Sequence, residues 1–140
     1  MTSKRNMKKV VLISCVSRKQ SNKCQARDLY VSALFKKNLH YAQRLLPDQI
    51  FILSAQYGLV GLDDEIEPYD LTLNSMSANE IKQWANSVLR QLSEKTDLQN
   101  DYFVFLAGEK YRKYLLPFIS HYDIPLEGLP IGKQLQRLSE

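Results

Sequence analysis

The chain has 140 residues, with 19 Lys+Arg against 15 Asp+Glu for a formal charge of +4, and it is 44% hydrophobic and 24% charged. This is the balance of a soluble globular protein long enough for one domain with a core. It contains no apolar run near the roughly 18 residues of a membrane span. The basic start leads only into the short stretch Val10 to Ile13 without a small-residue cleavage site, which argues against a secretory leader, and the pair Cys15 and Cys24 fits reduced thiols, so a cytoplasmic protein is expected.

The first element expected after a flexible start (residues 1–7) is a strand, Lys8 to Ser14, whose continuous β-branched run suits a parallel sheet buried on both faces. A polar loop, Cys15 to Gln25, leads into an amphipathic helix over Ala26 to Leu46, stopped by Pro47. Gln49 to Ser54 is a second strand, and a long irregular segment punctuated by Gly58, Gly61 and Pro68 follows it. Ser77-Ala78-Asn79-Glu80 spells a capping box opening a helix with Ile81, Trp84, Ala85, Val88, Leu89 and Leu92 on one face. A third strand, Tyr102 to Ala107, precedes Gly108 and a helical stretch from Glu109 to Ser120 that Pro117 interrupts. Ile124 to Pro130 reads as a short strand or extended segment, and Ile131 to Leu138 as a last helical turn or two. This order predicts one three-layer α/β/α domain around a mainly parallel sheet of about four strands.

Open sheets of this kind bind ligands outside the carboxyl ends of their strands. Three strands end here in small and polar residues: Ser14-Cys15-Val16-Ser17-Arg18-Lys19, Ser54-Ala55-Gln56-Tyr57-Gly58, and Ala107-Gly108-Glu109-Lys110-Tyr111. Small residues let a ligand approach the backbone, and the adjoining helix starts offer amides to an anion. The first ending, with Ser14, Cys15, Ser17, Arg18 and Lys19, suits an oxyanion such as a phosphate. It lacks the glycine-lysine spacing of a nucleotide-triphosphate loop and the distal arginine of a phosphatase cysteine loop. Cys15 is a nucleophile only if its pKa is depressed; otherwise it is a small packed residue.

Charge is divided unevenly along the chain. Up to Arg44 the single acid is Asp28, whereas from Leu45 to Ile81 there is no Lys or Arg. The acidic stretch includes Asp63, Asp64, Glu65, Glu67 and Asp70; Asp64 and Glu67 read as solvated, and Asp70, behind Pro68-Tyr69, and Asp63 are the candidate catalytic carboxylates. Tyr57 and Tyr69 can stack on a base. Ser54, Gly58, Gly108 and Tyr111 complete the expected ligand-binding set. The two histidines, His40 and His121, are far apart and no zinc-like spacing occurs, so neither metal nor other cofactor is called for.

The runs from Ser14 to Lys19 and Ala26 to Ser32, then Ser54 to Val60 with Ile66 to Asp70, then Leu106 to Tyr111 with the closing segment Pro125 to Leu135, resemble a bacterial and phage family of small uncharacterised domains. That family is distantly similar to a uracil-DNA-glycosylase-like domain of archaeosine synthase, a tRNA deazaguanine-modifying enzyme. The resemblance implies such an α/β fold and a ligand containing a nucleobase or nucleotide. This chain lacks the Lys-Pro-Tyr-Ser run of that enzyme, so a reaction is not implied. The sequence thus points to a phosphate-containing small-molecule ligand, with action at a glycosidic bond or base substituent as the enzymatic reading. A non-catalytic nucleic-acid-binding module using Lys4, Arg5, Lys8, Lys9, Arg18, Lys19 and Lys23 is the alternative.

Overall fold

A computed structural model describes residues 7–14 and 19–140. The expected flexible start, apart from Met7, and the candidate ligands Cys15, Ser17 and Arg18 lie outside the described residues. The first strand, β1 (Lys9–Ser14), is followed by a two-residue strand β2 (Cys24–Gln25), a single-turn helix α1 (Ala26–Leu29) and the helix α2 (Ala33–Arg44). Then come β3 (Gln49–Ser54), β4 (Gly58–Gly61), β5 (Glu65–Ile66), the long helix α3 (Ala78–Lys95), β6 (Tyr102–Leu106), the short helix α4 (Glu109–Arg112), β7 (His121–Asp123) and α5 (Ile131–Leu138).

These strands form a five-stranded sheet in the order β4-β3-β1-β6-β7, with β2 and β5 paired apart as a small antiparallel ladder. β1 lies between β3 and β6 and is parallel to both; β7 is parallel to β6, and β4 alone is antiparallel. The reason for this placement of β1 is its composition. Val10 and Leu12 point into one apolar cluster with α3, and Val11 and Ile13 into a second cluster with α2 and α5 residues. A strand buried on both faces belongs in the sheet interior.

The mainly parallel α/β expectation therefore holds, but the sheet has five strands rather than about four. The fourth expected strand, Ile124 to Pro130, is not a strand; the parallel partner of β6 is instead the exposed His121–Asp123, which has no apolar run to announce it. The additional strand is β4, which the turn after β3 folds straight back onto it. The long helix expected from Ala26 is divided at Tyr30, whose backbone is extended and bridges antiparallel to Lys19. The Ser32 hydroxyl then accepts from the Phe35 amide at 3.1 Å and restarts the helix as α2. Pro47 ends it by denying the preceding residue the helical region, and Leu46 adopts φ +52°. In α3 both halves of the capping box form, Glu80 N to Ser77 Oγ at 3.2 Å and Ser77 N to Glu80 Oε1 at 2.8 Å.

Gly58 is the one position where the β3–β4 turn requires glycine. Its φ is +76°, and a Cβ there would stand 2.5 Å from Gln91 Oε1, the atom that accepts from the Leu59 amide at 2.9 Å. Gly58→Ala is expected to cost about 2 kcal/mol, part backbone strain and part loss of that bond. In a Gln91→Ala background only the backbone share should remain. Urea denaturation of the four-member cycle measures both shares, and strictly additive penalties would refute the contact.

Candidate functional site

β1 leads through α2 to β3 on one side of it, and β3 leads through α3 to β6 on the other side. The chain therefore reverses direction between β1 and β6, where a crevice opens at the carboxyl ends of the strands. The two ends are joined there by one hydrogen bond: the Gly108 amide donates to Ser14 Oγ at 3.0 Å.

A cleft of about 780 Å³ occupies this position, a size suited to a small organic ligand. Ser14, Ala107, Gly108, Glu109, Lys110 and Tyr111 line its mouth side, contributed by the ends of β1 and β6 and the start of α4. Leu34 and Asn38 come from α2, and Leu126, Leu129 and Gln134 from the segment leading into and through α5. Several of these groups are fixed by the backbone. Gln134 Nε2 donates to the Leu129 carbonyl at 2.8 Å, and Arg112 Nη1 donates to the Ala107 carbonyl at 2.8 Å while its other terminal nitrogen is 4.0 Å from Glu127 Oε2. Lys110, Arg112, Glu109 and Glu127 all line the cleft, so it carries both signs of charge.

Of the residues singled out by sequence, Ser14, Gly108 and Tyr111 come together at this cleft. Tyr111 is buried; its ring meets Trp84 edge-on with centroids 5.5 Å apart, and its hydroxyl accepts from the Leu73 amide at 3.5 Å. Ser54, at the end of β3, is fully buried and shapes the turn: its Oγ accepts from the amides of Gln56 and Tyr57, and its carbonyl accepts from Trp84 Nε1 at 2.9 Å. Tyr57 and Gly58 line a shallower, polar groove with Gln56, Trp84, Arg90 and Gln91.

Lys19, Tyr30, Tyr69 and Tyr57 form a further group. The Tyr30 and Tyr69 hydroxyls are 2.6 Å apart, Tyr57 packs edge-on against Tyr69, and Lys19 Nζ sits 4.4 Å from the Tyr69 ring centre. None of these four lines the cleft. The same is true of both candidate carboxylates. Arg27 holds Asp63 through two nitrogens at 2.8 and 3.0 Å to the same oxygen, and Asp70 is exposed. Burial, followed by the nearby charges of Asp28 and Glu65, pushes the Cys24 thiol above its ordinary pKa, which disfavours the nucleophilic thiolate. Among the described residues no group of three or more His, Cys, Asp or Glu side chains is placed to hold a metal ion, and no helix is long and apolar enough to cross a membrane.

Asn38, Leu126, Leu129 and Gln134 were not singled out by sequence reasoning. Leu126, Leu129 and Gln134 lie in the closing segment Pro125 to Leu135 that carries the resemblance, but their place beside the strand ends depends on tertiary packing. Asn38 does leave a local trace: it is the polar residue in the apolar stripe Leu34, Phe35, Asn38, Tyr41 and Ala42 of α2.

No curated protein and no solved structure matches this chain. The run of strand ends and the closing segment that build the cleft fall within residues 10–140, which match DUF6884, and the chain belongs to that family of unknown function.

Proposed function

We propose that the cleft between the ends of β1 and β6 binds a phosphate-containing small molecule, a nucleotide or modified nucleobase. The observation that carries this reading is the coincidence of a cleft of about 780 Å³ with the reversal point of the sheet, where Ser14 and Gly108 meet. Two apolar clusters built from alternate residues of the same strands support a three-layer α/β/α arrangement, in which that end of the sheet is the ligand end. The resemblance to the archaeosine synthase domain supports a nucleobase as part of the ligand. In this reading Lys110 attracts the phosphate at the mouth, and the apolar walls formed by Leu34, Leu106, Leu126 and Leu129 receive the base. Action at a glycosidic bond is the enzymatic extension, and Glu109 and Glu127 are the carboxylates at hand for acid–base work.

The test is thermal unfolding with a panel of nucleoside monophosphates and free bases, each at millimolar concentration. At least one should raise the midpoint by several degrees, as binding at about 100 times Kd stabilises a native state by roughly 2.7 kcal/mol. Lys110→Ala should weaken the phosphate-bearing ligands and leave free bases unaffected. A panel without any stabilising member would overturn the reading.

A further inference from the structure

Among the described residues that line the cleft, one buried polar side-chain atom has no hydrogen-bond partner. Asn38 is 4% exposed, and its Oδ1 accepts no hydrogen bond from the described residues. It lines the same cleft as Leu34, Leu106, Leu126 and Leu129, so its carboxamide is set among apolar side chains with an acceptor unused. Such an atom is costly in a folded protein, where most buried polar side-chain atoms have a partner. An apolar residue would fit the α2 stripe better, since α2 otherwise buries Phe35 and Ala42. A donor on a bound ligand would give this acceptor the partner that the described residues withhold.

We infer that Asn38 is a specificity-determining residue of the cleft, and that it reads an N–H donor on the edge of a flat heterocyclic ring. This rests on the cleft being the ligand site and narrows the ligand to a ring bearing an exocyclic amine or a protonated ring nitrogen. The acceptor demands a donor, and the surrounding leucines demand an apolar face around it. A site of this type rejects the analogue lacking the donor, because binding that analogue leaves the buried carbonyl unpaired. Lys110, at the mouth, is free in this scheme to serve the phosphate of any such compound.

The experiment is titration calorimetry on the wild type, Asn38→Leu and Asn38→Asp. The probes are adenosine and guanosine 5′-monophosphates against purine riboside 5′-monophosphate, whose base carries neither an amine nor a ring N–H, together with free adenine, guanine and 9-methylpurine. The wild type should bind a donor-bearing compound at least tenfold more tightly than its donor-free counterpart. Asn38→Leu should erase that preference while unfolding at the same or a higher temperature, because the apolar side chain removes the unpaired group. Asn38→Asp keeps the acceptor and should keep the preference. If the free bases are discriminated through Asn38 but nucleotides do not bind, the phosphate part of the proposed function fails and the role of Asn38 stands. Equal affinity for the donor-bearing and donor-free compounds, a preference that survives Asn38→Leu, or no binding by any probe would each overturn the inference.

Discussion

Trp84→Ala should lower the stability of this protein by about 4 kcal/mol, within the range for removing a large aromatic side chain from a core. Trp84 sits on the buried face of α3, in the apolar cluster that packs against one side of the sheet. Its indole N–H donates to the Ser54 carbonyl, and its ring meets Tyr111 edge-on. The substitution opens a cavity and also leaves a carbonyl without its donor in the turn from β3 to β4. Trp84→Phe separates the two effects, since it retains most of the ring and removes the donor; it should cost about 1–2 kcal/mol. Urea denaturation followed by far-ultraviolet circular dichroism gives both values. A Trp84→Ala protein within about 1 kcal/mol of the wild type would show that the indole is not holding α3 to the sheet.

Asp101→Ala is the second large effect, about 3 kcal/mol or roughly 10 °C in the midpoint of thermal unfolding. The Asp101 side chain is buried just before β6, and its two oxygens accept from different amides: Lys8 N at 3.0 Å and Asp97 N at 2.9 Å. The Tyr102 amide donates to the Lys8 carbonyl at 2.9 Å, so this one residue joins the entry of β6 to the entry of β1 and closes the turn after α3. Alanine leaves two N–H groups without acceptors. Asp101→Asn should recover little, because a carboxamide retains one acceptor and turns its NH₂ toward the other amide. Full stability in Asp101→Asn would mean that one of the two bonds contributes nothing.

The sheet and its principal helix could be read from sequence where local chemistry and tertiary placement agree. β1, β3 and β6 are continuous apolar runs because both of their faces are covered, and α3 declares itself through Ser77, Glu80 and a single apolar stripe. What was not legible depends on distant partners. β7 consists of exposed His121, Tyr122 and Asp123 and is a strand because β6 offers it an edge. β4 is four residues bounded by glycines, and the β2–β5 ladder pairs Cys24 with Ile66, 42 residues apart. The site shows the same division. The strand ends expected to border a ligand do bring Ser14, Gly108 and Tyr111 to one cleft. The acidic loop was attractive by composition, yet Asp63 is engaged by Arg27, and Asp70 stands outside the cleft. The α2 and α5 walls could not be foreseen, because which helix covers which end of the sheet is a property of the whole fold.

The interior position of β1 also bears on how the chain acquires its structure during synthesis. β1 leaves the ribosome before both of its neighbours, and of its pairings that of Val10 with Phe103 spans most of the chain. Contacts this distant are slow to form because loop-closure entropy is lost before they are rewarded. A strand apolar on both faces is thus the one that waits longest with an unpaired edge, and until Leu106 has emerged that edge is open to chaperones or to another nascent chain. Translation pauses or chaperone supply should therefore influence the yield of this protein more than substitutions on its surface do.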